Sequence, residues 1–233
     1  MARGAVIALH GYMGGVPLLD EPQWPIASLL RRGLDVAMPV LPFHAARGGA
    51  RRGAPPFPSS DPRLTIEGFR QAVSDIRALA RWLRARGAPH VGVMGASLGG
   101  YTSALLATVC EDFDFVMPMI PLASLADYAL EHGSLGEGEG ALAQRDAIEK
   151  AYAVVSPLAR PLRVRPERAL VAGASFDQVT PATHAKKLAA HFACELVEIP
   201  GGHLLQFGRE EAFRALVAML EREGFVAARP ARR

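Results

Sequence analysis

The sequence lacks the features that mark disulfide-rich, metal-binding or membrane-spanning proteins. Its 233 residues include only two cysteines, Cys110 and Cys194. Two distant thiols make neither a disulfide framework nor a zinc site, and no group of His, Asp and Glu has the spacing of metal ligands. The longest apolar runs have the length of a buried strand rather than of a bilayer span. We therefore expect no metal, no cofactor and no membrane span.

A strong excess of one charge is also missing, since the formal net charge at pH 7 is only +3. Nucleic-acid-binding proteins concentrate basic charge along a helix or stripe with aromatic residues between, and this pattern does not occur here. Met1 leads into an apolar run without a secretory segment. We expect a cytoplasmic protein without a nucleic-acid partner. The excess arginines lie in one loop and at the end of the chain: Arg47, Arg51 and Arg52, then Arg229, Arg232 and Arg233.

What the sequence does contain is an alternation of apolar runs and helical patterns. Half of the residues are hydrophobic, which is enough for one packed domain over residues 1–233. Apolar runs on both faces are typical of a parallel sheet covered on both sides. The alternation predicts an α/β fold with a doubly wound, mostly parallel sheet of about six strands. The runs of strand length lie at residues 4–9, 34–40, 90–95, 113–120, 168–172 and 195–199.

Three helical patterns have recognisable ends. The first covers residues 66–83 in steps of three and four and stops at Gly87. The second is expected to begin with Thr180 as its N-cap and Pro181 at its first position. The third covers residues 210–220, with its apolar side chains on one face.

Two long segments interrupt this alternation. Residues 42–63 are rich in Pro, Gly and Arg and have no periodicity, which predicts a long loop of the kind that is often functional. Residues 122–166 separate two predicted strands by more than a simple crossover requires. We interpret them as a short helical cap whose glycine-rich centre, residues 133–140, is flexible.

One motif has a direct chemical meaning. Gly95-Ala96-Ser97-Leu98-Gly99 is a G-x-S-x-G sequence between an apolar run and a helical pattern. In that context Ser97 is expected on a sharp turn with its hydroxyl raised above the sheet, and side chains at Gly95 or Gly99 would collide with neighbouring backbone. We predict that Ser97 is a nucleophile. The alternative is a packing turn of small residues with an incidental serine.

A serine nucleophile needs a base, and the base needs an acid to orient it. Of the seven histidines, only His203 stands in a loop after the last predicted strand, where chain order places the base. Asp177, after the fifth predicted strand, is the expected acid. Asp127, after the fourth, is the alternative acid, and Asp177 could instead cap the following helix.

Two backbone amides should bind the negative oxygen that such a reaction creates. Leu98, directly after the nucleophile, is expected to supply one. The loop His10-Gly11-Tyr12-Met13-Gly14-Gly15 should supply the other, from Tyr12 or alternatively from Met13. We expect His10 to hold this loop by hydrogen bonds.

The loop of residues 42–63 should leave the sheet at its carboxyl edge, where such sheets bind ligands. The loop that contains Met13 leaves the sheet at the same edge. Met13, His44 and Arg47 are therefore candidate substrate contacts. Arg47, together with Arg51 and Arg52, would suit an anionic group of a substrate. The alternative is a solvated loop whose arginines bind nothing.

Taken together, His10-Gly11, the Gly95–Gly99 turn, Asp177 and Gly202-His203 resemble the α/β-hydrolase superfamily, in order from residue 10 to residue 203. The resemblance implies a central, mostly parallel sheet and hydrolysis of an ester, thioester or amide without a cofactor. We expect the fold to lack the two leading strands of that superfamily, because the His10-Gly11 loop comes so early, so that the chain is either a compact member or a trimmed one. The stretch from Ser97 to Tyr101 is similar to prolyl-oligopeptidase-type enzymes. Leu41-Pro42-Phe43-His44 with Arg47 is similar to a hydrolase group related to eukaryotic hydrolase-domain protein 18.

Among these reactions we expect hydrolysis of a carboxylic ester, with a small acyl ester as substrate and Ser97, His203 and Asp177 as the acting residues. A peptidase is less expected, because this sequence has no propeller domain. Thioesterase, acyltransferase or small peptidase activity would use the same residues. A non-catalytic binding module should lack one of the three, and none is missing.

Overall fold

A single sheet forms the centre of the molecule. The computed structural model describes residues 3–49 and 53–227. All six strands of the sheet are parallel, in the order β2-β1-β3-β4-β5-β6. The predicted α/β fold with about six strands is therefore confirmed. The strands are β1 (Gly4–Leu9), β2 (Leu34–Ala37), β3 (Val91–Ala96), β4 (Phe115–Met119), β5 (Leu170–Ala174) and β6 (Glu195–Ile199).

The strand bounds agree with the predictions to within two residues except at β2. The sequence predicted a strand through residue 40, but β2 ends at Ala37 and residues 38–41 have no regular structure. Pro39 has no N–H to donate to a ladder, and a proline also restricts the residue before it. β2 lies at the edge of the sheet and pairs only with β1, so nothing on its other side extends it.

The strand order brings two loops together. The chain passes from β1 outward to β2 and returns on the other side of β1 as β3. The loops after β1 and β3 therefore leave the carboxyl edge of adjacent strands on either side of a crevice, which is where open α/β sheets bind ligands. One of these loops begins at His10 and the other contains Ser97.

The described residues contain eight α-helices. None of these helices has both the length and the apolar character that a bilayer crossing requires. They are α1 (Pro17–Asp20), α2 (Ile26–Arg31), α3 (Pro62–Ala85), α4 (Leu98–Val109), α5 (Leu125–Glu131), α6 (Glu139–Tyr152), α7 (Ala182–Phe192) and α8 (Arg209–Arg222).

The start of α3 shortens the loop that the sequence predicted to residue 63. The Asp61 side chain accepts a hydrogen bond from the Arg63 amide, and Pro62 is the first helical residue. This is the arrangement of an N-cap followed by proline at the first position. The helix stops before Gly87, whose φ of +99° is the left-handed conformation expected at a helix end.

The predicted start of the helix after β5 is wrong. α7 begins at Ala182, and the Thr180 side chain does not cap it. The Thr180 hydroxyl instead donates toward the carbonyl oxygen of Ile120, 3.0 Å away. This tertiary contact replaces the local one that the sequence pattern favoured.

Alternate side chains of β1 face two separate clusters of the hydrophobic core. On β1, Val6 and Ala8 pack in a cluster that includes Leu216 of α8, whereas Ile7 and Leu9 pack in a cluster that includes Ile76 of α3. Helices thus cover both faces of the sheet, as the two-sided apolar runs predicted.

Residues 122–166 are tied to the rest of the molecule by polar contacts. Asp127 of α5 pairs with Arg145 of α6 inside the segment, at 2.6 Å, and with Lys187 of α7 outside it, also at 2.6 Å. The Tyr101 hydroxyl of α4 donates to the carbonyl oxygen of Val155 at 3.0 Å. The segment contains α5, α6 and the 3-10 turns Ala153–Val155 and Pro157–Ala159.

Candidate active site

Ser97 stands on a strained turn between β3 and α4. Its φ of 54° and ψ of −113° are sparsely populated for a residue with a side chain. A methyl group added at Gly95 would lie 2.1 Å from the carbonyl oxygen of Gly99, and one at Gly99 would lie 2.2 Å from that of Leu9. Only glycine fits these two positions, because the atoms in the way belong to the backbone. The predicted reason for both glycines is therefore confirmed.

The base predicted for Ser97 lies beside it. The Ser97 hydroxyl donates to Nε2 of His203 at 2.9 Å, across 106 residues of sequence. His203 stands in the loop after β6, which is held to the loop after β5 by a hydrogen bond from the Phe176 amide to the Gly201 carbonyl. Gly201 has a φ of +110°, which favours glycine at that position.

Asp177 is hydrogen-bonded to the other ring nitrogen of His203. Nδ1 of His203 donates to Oδ2 of Asp177 at 2.8 Å, and the other carboxylate oxygen accepts hydrogen bonds from the Val179 and Thr180 amides. Burial opposes ionisation of this carboxyl group. The hydrogen bonds from His203 and the two amides outweigh burial, so the pKa of Asp177 lies below its ordinary value. Asp177 is thus set to remain an anion beside the imidazole.

Asp127, the alternative acid, is engaged elsewhere. Its carboxylate is the anion that Arg145 and Lys187 share, and these contacts outweigh burial and lower its pKa. Among the described residues, no hydrogen bond joins Asp127 to His203. The structure therefore brings Asp177, and not Asp127, together with His203.

The two amides predicted to bind an oxyanion belong to Leu98, which follows Ser97 in the chain, and to Tyr12, in the loop after β1. Leu98 is the first residue of α4, so its N–H has no partner within the helix. Gly11 lies against Ser97, since a methyl group added there would be 3.5 Å from the Ser97 Cβ. The next residues, Tyr12 and Met13, form a turn closed by the Gly14 amide and the Gly11 carbonyl. Within the described residues, neither the Tyr12 nor the Leu98 amide donates a hydrogen bond.

Hydrogen bonds of the buried side chains His10 and Asp20 hold the loop that contains Tyr12. His10 donates from Nδ1 to the Gly11 carbonyl at 2.8 Å and accepts from the Leu41 amide at Nε2, 2.9 Å away. Asp20 accepts a hydrogen bond from the Gly15 amide at 2.7 Å. Burial lowers the pKa of His10, although the Gly11 carbonyl and Asp20 act in the opposite direction. A neutral ring suits this position, because a second ring proton would displace the Leu41 amide.

Of the three candidate substrate contacts, Met13 and Arg47 are exposed and His44 is not. His44 is fully buried, with Nδ1 donating to the Pro42 carbonyl and the ring packed on its neighbours. It therefore offers no surface to a substrate. Arg47 donates to the Val40 carbonyl at 2.9 Å and lies 2.7 Å from a carboxylate oxygen of Asp75 on α3.

The structure therefore corrects the two interpretations of Arg47. Its guanidinium is neither a free anion ligand nor fully solvated, since it joins the loop to α3. Arg51 and Arg52 lie outside the described residues, as do Arg229, Arg232 and Arg233. Within residues 3–49 and 53–227, no group of three or more His, Cys, Asp or Glu side chains is placed to hold a metal ion.

The sequence model of the prolyl oligopeptidase family matches residues 69–198, which is more than half of the chain. The chain belongs to the prolyl oligopeptidase family. The resemblance to serine hydrolases of the α/β-hydrolase superfamily is thereby confirmed. The matched region includes Ser97 and Asp177 and ends at residue 198, five positions before His203.

This member of the prolyl oligopeptidase family also has curated relatives. The uncharacterized protein Rv2627c of Mycobacterium tuberculosis is 34% identical over 231 residues, and the alignment covers 96% of this chain and 55% of that protein. The chain therefore spans about half the length of the curated relatives it matches.

Solved structures with a similar fold include esterases and a peptidase. The structure of Thermogutta terrifontis esterase 2 phosphoramylated by tabun has a TM-score of 0.65 at 18% identity, covering 98% of this chain and 86% of the esterase. A puromycin-hydrolyzing peptidase of Mycobacterium tuberculosis has a TM-score of 0.70 at 18% identity, covering 100% of this chain and 35% of the peptidase. At these identities the likeness concerns the fold.

Beside the three residues predicted for the site, this family member has a fourth polar side chain that the sequence interpretation assigned elsewhere. Oγ1 of Thr180 lies 3.2 Å from Nδ1 of His203 and 3.0 Å from Oδ2 of Asp177. The available signal was a hydroxyl residue three positions after Asp177. The same hydroxyl before a proline also fits a helix N-cap, and that local interpretation hid the contact.

Proposed function

We propose that the chain is a serine hydrolase that cleaves carboxylic esters through an acyl-enzyme. The observation that carries this proposal is the relay from Asp177 through His203 to Ser97, with donor–acceptor distances of 2.8 and 2.9 Å. A serine hydroxyl that is hydrogen-bonded to an imidazole, which is itself hydrogen-bonded to a carboxylate, is the arrangement that activates serine for attack on an acyl carbon.

In the proposed reaction, Oγ of Ser97 bonds to the acyl carbon while its proton passes to Nε2 of His203. The Leu98 and Tyr12 amides stabilise the resulting oxyanion, because both donors are fixed before the charge develops. When the carbonyl re-forms, the bond to the leaving alcohol breaks and His203 gives that alcohol its proton. A water molecule then attacks the acyl-enzyme, with His203 again taking and returning the proton, and the acid leaves.

The apolar surroundings of the relay support an uncharged acyl or alcohol group. Phe176 precedes Asp177, Leu204 and Leu205 follow His203, and all three side chains are exposed. Exposed apolar groups concentrated on the loops of a site are a recurrent sign of ligand binding. Arg47, the described arginine of the neighbouring loop, is already paired with Asp75. Arg47 therefore gives no support to an anionic substrate.

A second candidate is cleavage of an amide bond by the same residues. The match to the prolyl oligopeptidase family and the fold similarity to a puromycin-hydrolyzing peptidase favour it. Hydrolysis of a thioester and acyl transfer would also use Ser97, His203 and Asp177, with a different leaving group or acceptor.

We also propose that the chain is a single domain in which residues 122–166 form a cap, and that this cap influences substrate choice.

The test is labelling by a fluorophosphonate, followed by turnover of matched p-nitrophenyl esters, aminoacyl arylamides and acyl thioesters. Ser97→Ala should abolish labelling and lower kcat by about 10⁴ to 10⁶ while the protein remains folded. Ser175→Ala, at an exposed serine near Asp177, is the control and should change neither. Near-normal turnover of folded Ser97→Ala would overturn the proposal. Faster cleavage of the arylamides than of the esters would favour the peptidase candidate.

A further inference from the structure

The Thr180 hydroxyl lies where three polar groups of the site converge. Its side chain is buried, with 3% of the residue exposed. Oγ1 is 3.0 Å from the Ile120 carbonyl oxygen, 3.0 Å from Oδ2 of Asp177 and 3.2 Å from Nδ1 of His203. A buried hydroxyl with this many partners is fixed in position, because any rotation loses a hydrogen bond that water cannot replace.

The single proton and two lone pairs of the Thr180 hydroxyl limit the hydrogen bonds that it can make. A threonine hydroxyl has one proton to donate and two lone pairs that accept. The Ile120 carbonyl and the Asp177 carboxylate are both acceptors, so the proton goes to one of them. In either case a lone pair remains for the Nδ1–H of His203. That N–H therefore has a main acceptor in Asp177 at 2.8 Å and a second acceptor in Thr180 at 3.2 Å.

The hydroxyl also connects the relay to the end of β4. The carbonyl of Met119 accepts the amide hydrogen of Ser97, and the next carbonyl, that of Ile120, accepts from Thr180. Ile120 has a φ of 42°, which is costly for a β-branched residue. Its amide donates to the Ala172 carbonyl of β5 at 2.7 Å, which holds it in this conformation.

We propose that Thr180 is a positioning residue for His203. Its hydroxyl gives the Nδ1–H a second acceptor and fixes the imidazole relative to Ile120, whose neighbour Met119 accepts the amide hydrogen of Ser97. The Ser97–His203 distance is then set from both sides by one pair of adjacent peptide groups. This inference rests on the proposed function, since positioning matters for the rate only if His203 acts as the base.

A purely structural role makes a different prediction. If Thr180 only satisfied the buried Ile120 carbonyl, removing its hydroxyl would lower stability and leave the chemistry of the folded enzyme unchanged. A positioning role predicts a loss in kcat at unchanged KM, because orientation of the base matters in the transition state and not in substrate binding.

The experiment compares Thr180→Val, which keeps the shape and removes the hydroxyl, with Thr180→Ser, which keeps the hydroxyl. The control is Thr108→Val, which removes another buried hydroxyl bonded to a backbone carbonyl, at a site without contact to His203. We expect Thr180→Val to lower kcat for a p-nitrophenyl ester about fivefold to tenfold, the effect of one hydrogen bond, with KM unchanged. Thr180→Ser should stay within about twofold of wild type, and Thr108→Val should keep the wild-type kcat.

A proton NMR measurement tests the contact without turnover. The downfield Nδ1 proton resonance of His203 should shift in Thr180→Val and stay in place in Thr108→Val. If Thr180→Val does not fold, Thr180→Ala removes the same hydroxyl with less bulk, and the same results are expected. Wild-type kcat and an unmoved resonance in the folded Val or Ala variant would overturn the inference. Fluorophosphonate labelling of wild-type Ser97 decides the proposed function separately, so the two failures are distinguishable.

Discussion

His203 donates from Nδ1 to Oδ2 of Asp177 at 2.8 Å, in a contact that spans 26 residues of sequence. Because this hydrogen bond fixes which ring nitrogen carries the proton, Asp177→Asn should present the wrong tautomer to Ser97. We expect kcat for a p-nitrophenyl ester to fall by about 10⁴, the cost of this substitution in the best-studied serine protease.

Asp127→Asn is the matched control. It removes the same charge from the acid whose partners are Arg145 and Lys187. We expect a kcat close to that of wild type and some loss of stability. The measurement is the steady-state kcat of both folded variants. A larger loss of kcat in Asp127→Asn than in Asp177→Asn would assign the orienting role to Asp127.

Gly99 predicts a steric effect that helix propensity alone would not. A methyl group there would lie 2.2 Å from the Leu9 carbonyl oxygen, which belongs to a buried strand and cannot rotate away. We expect Gly99→Ala to lower the free energy of unfolding by at least about 2 kcal/mol, although alanine is the better helix former.

Gly140 is the matched helical control for that substitution. It lies in α6, is exposed, and has no atom within 4 Å of an added methyl group. Gly140→Ala should be neutral or stabilising by up to about 1 kcal/mol. Urea unfolding of both variants provides the comparison, and equal effects would contradict the steric explanation.

The fold and the nucleophile turn could be predicted because their signals are local. β1 and β6 have the predicted bounds, since each is a short segment with aliphatic residues at its centre. The turn at Ser97 could be predicted from five consecutive residues, because the two glycines among them indicate a close approach of backbone segments, which the structure shows. Chain order then sufficed to select His203 and Asp177.

The loop contacts could not be predicted, because their partners are distant in sequence. Nothing near Arg47 in the chain indicates Asp75, which reaches it only because α3 packs beside the loop. Burial of His44 likewise depends on how Tyr12 and Phe57 pack around its ring. The contact of Thr180 with Ile120 spans 60 residues, and the local N-cap pattern pointed to another role.

His10 predicts a pH dependence of stability. Burial lowers the pKa of His10 in the folded protein, whereas an unfolded chain has a histidine pKa of about 6.5. As the pH falls below about 6.5, the unfolded state takes up a proton that the folded state resists, so stability decreases over the range down to the folded pKa. The contribution is fully present above that range.

Urea midpoints at pH 7.5 and pH 5 test this, with His10→Gln as the comparison. Wild type should lose more stability than the variant between the two pH values. His44, whose pKa burial also lowers, remains in both proteins, so the variant should keep part of the dependence. An equal loss in both proteins would mean that His10 does not contribute.

Arg47 and Asp75 predict a stability effect without an effect on substrate charge. Their charged atoms are 2.7 Å apart, in ion-pair contact, although their orientation falls short of a well-directed hydrogen bond. The side chains are 39% and 30% exposed, so solvent screens the pair and the coupling in a double-mutant cycle should be about 0.2 to 1 kcal/mol. Because the guanidinium is already paired, Arg47→Ala should change KM equally for anionic and neutral esters of similar size.

Urea unfolding of the two single variants and the double variant gives the coupling, and kinetics on a matched ester pair gives the KM values. A rise in KM confined to anionic esters, with no coupling to Asp75, would restore Arg47 as an anion ligand and show that the pair with Asp75 opens when substrate binds.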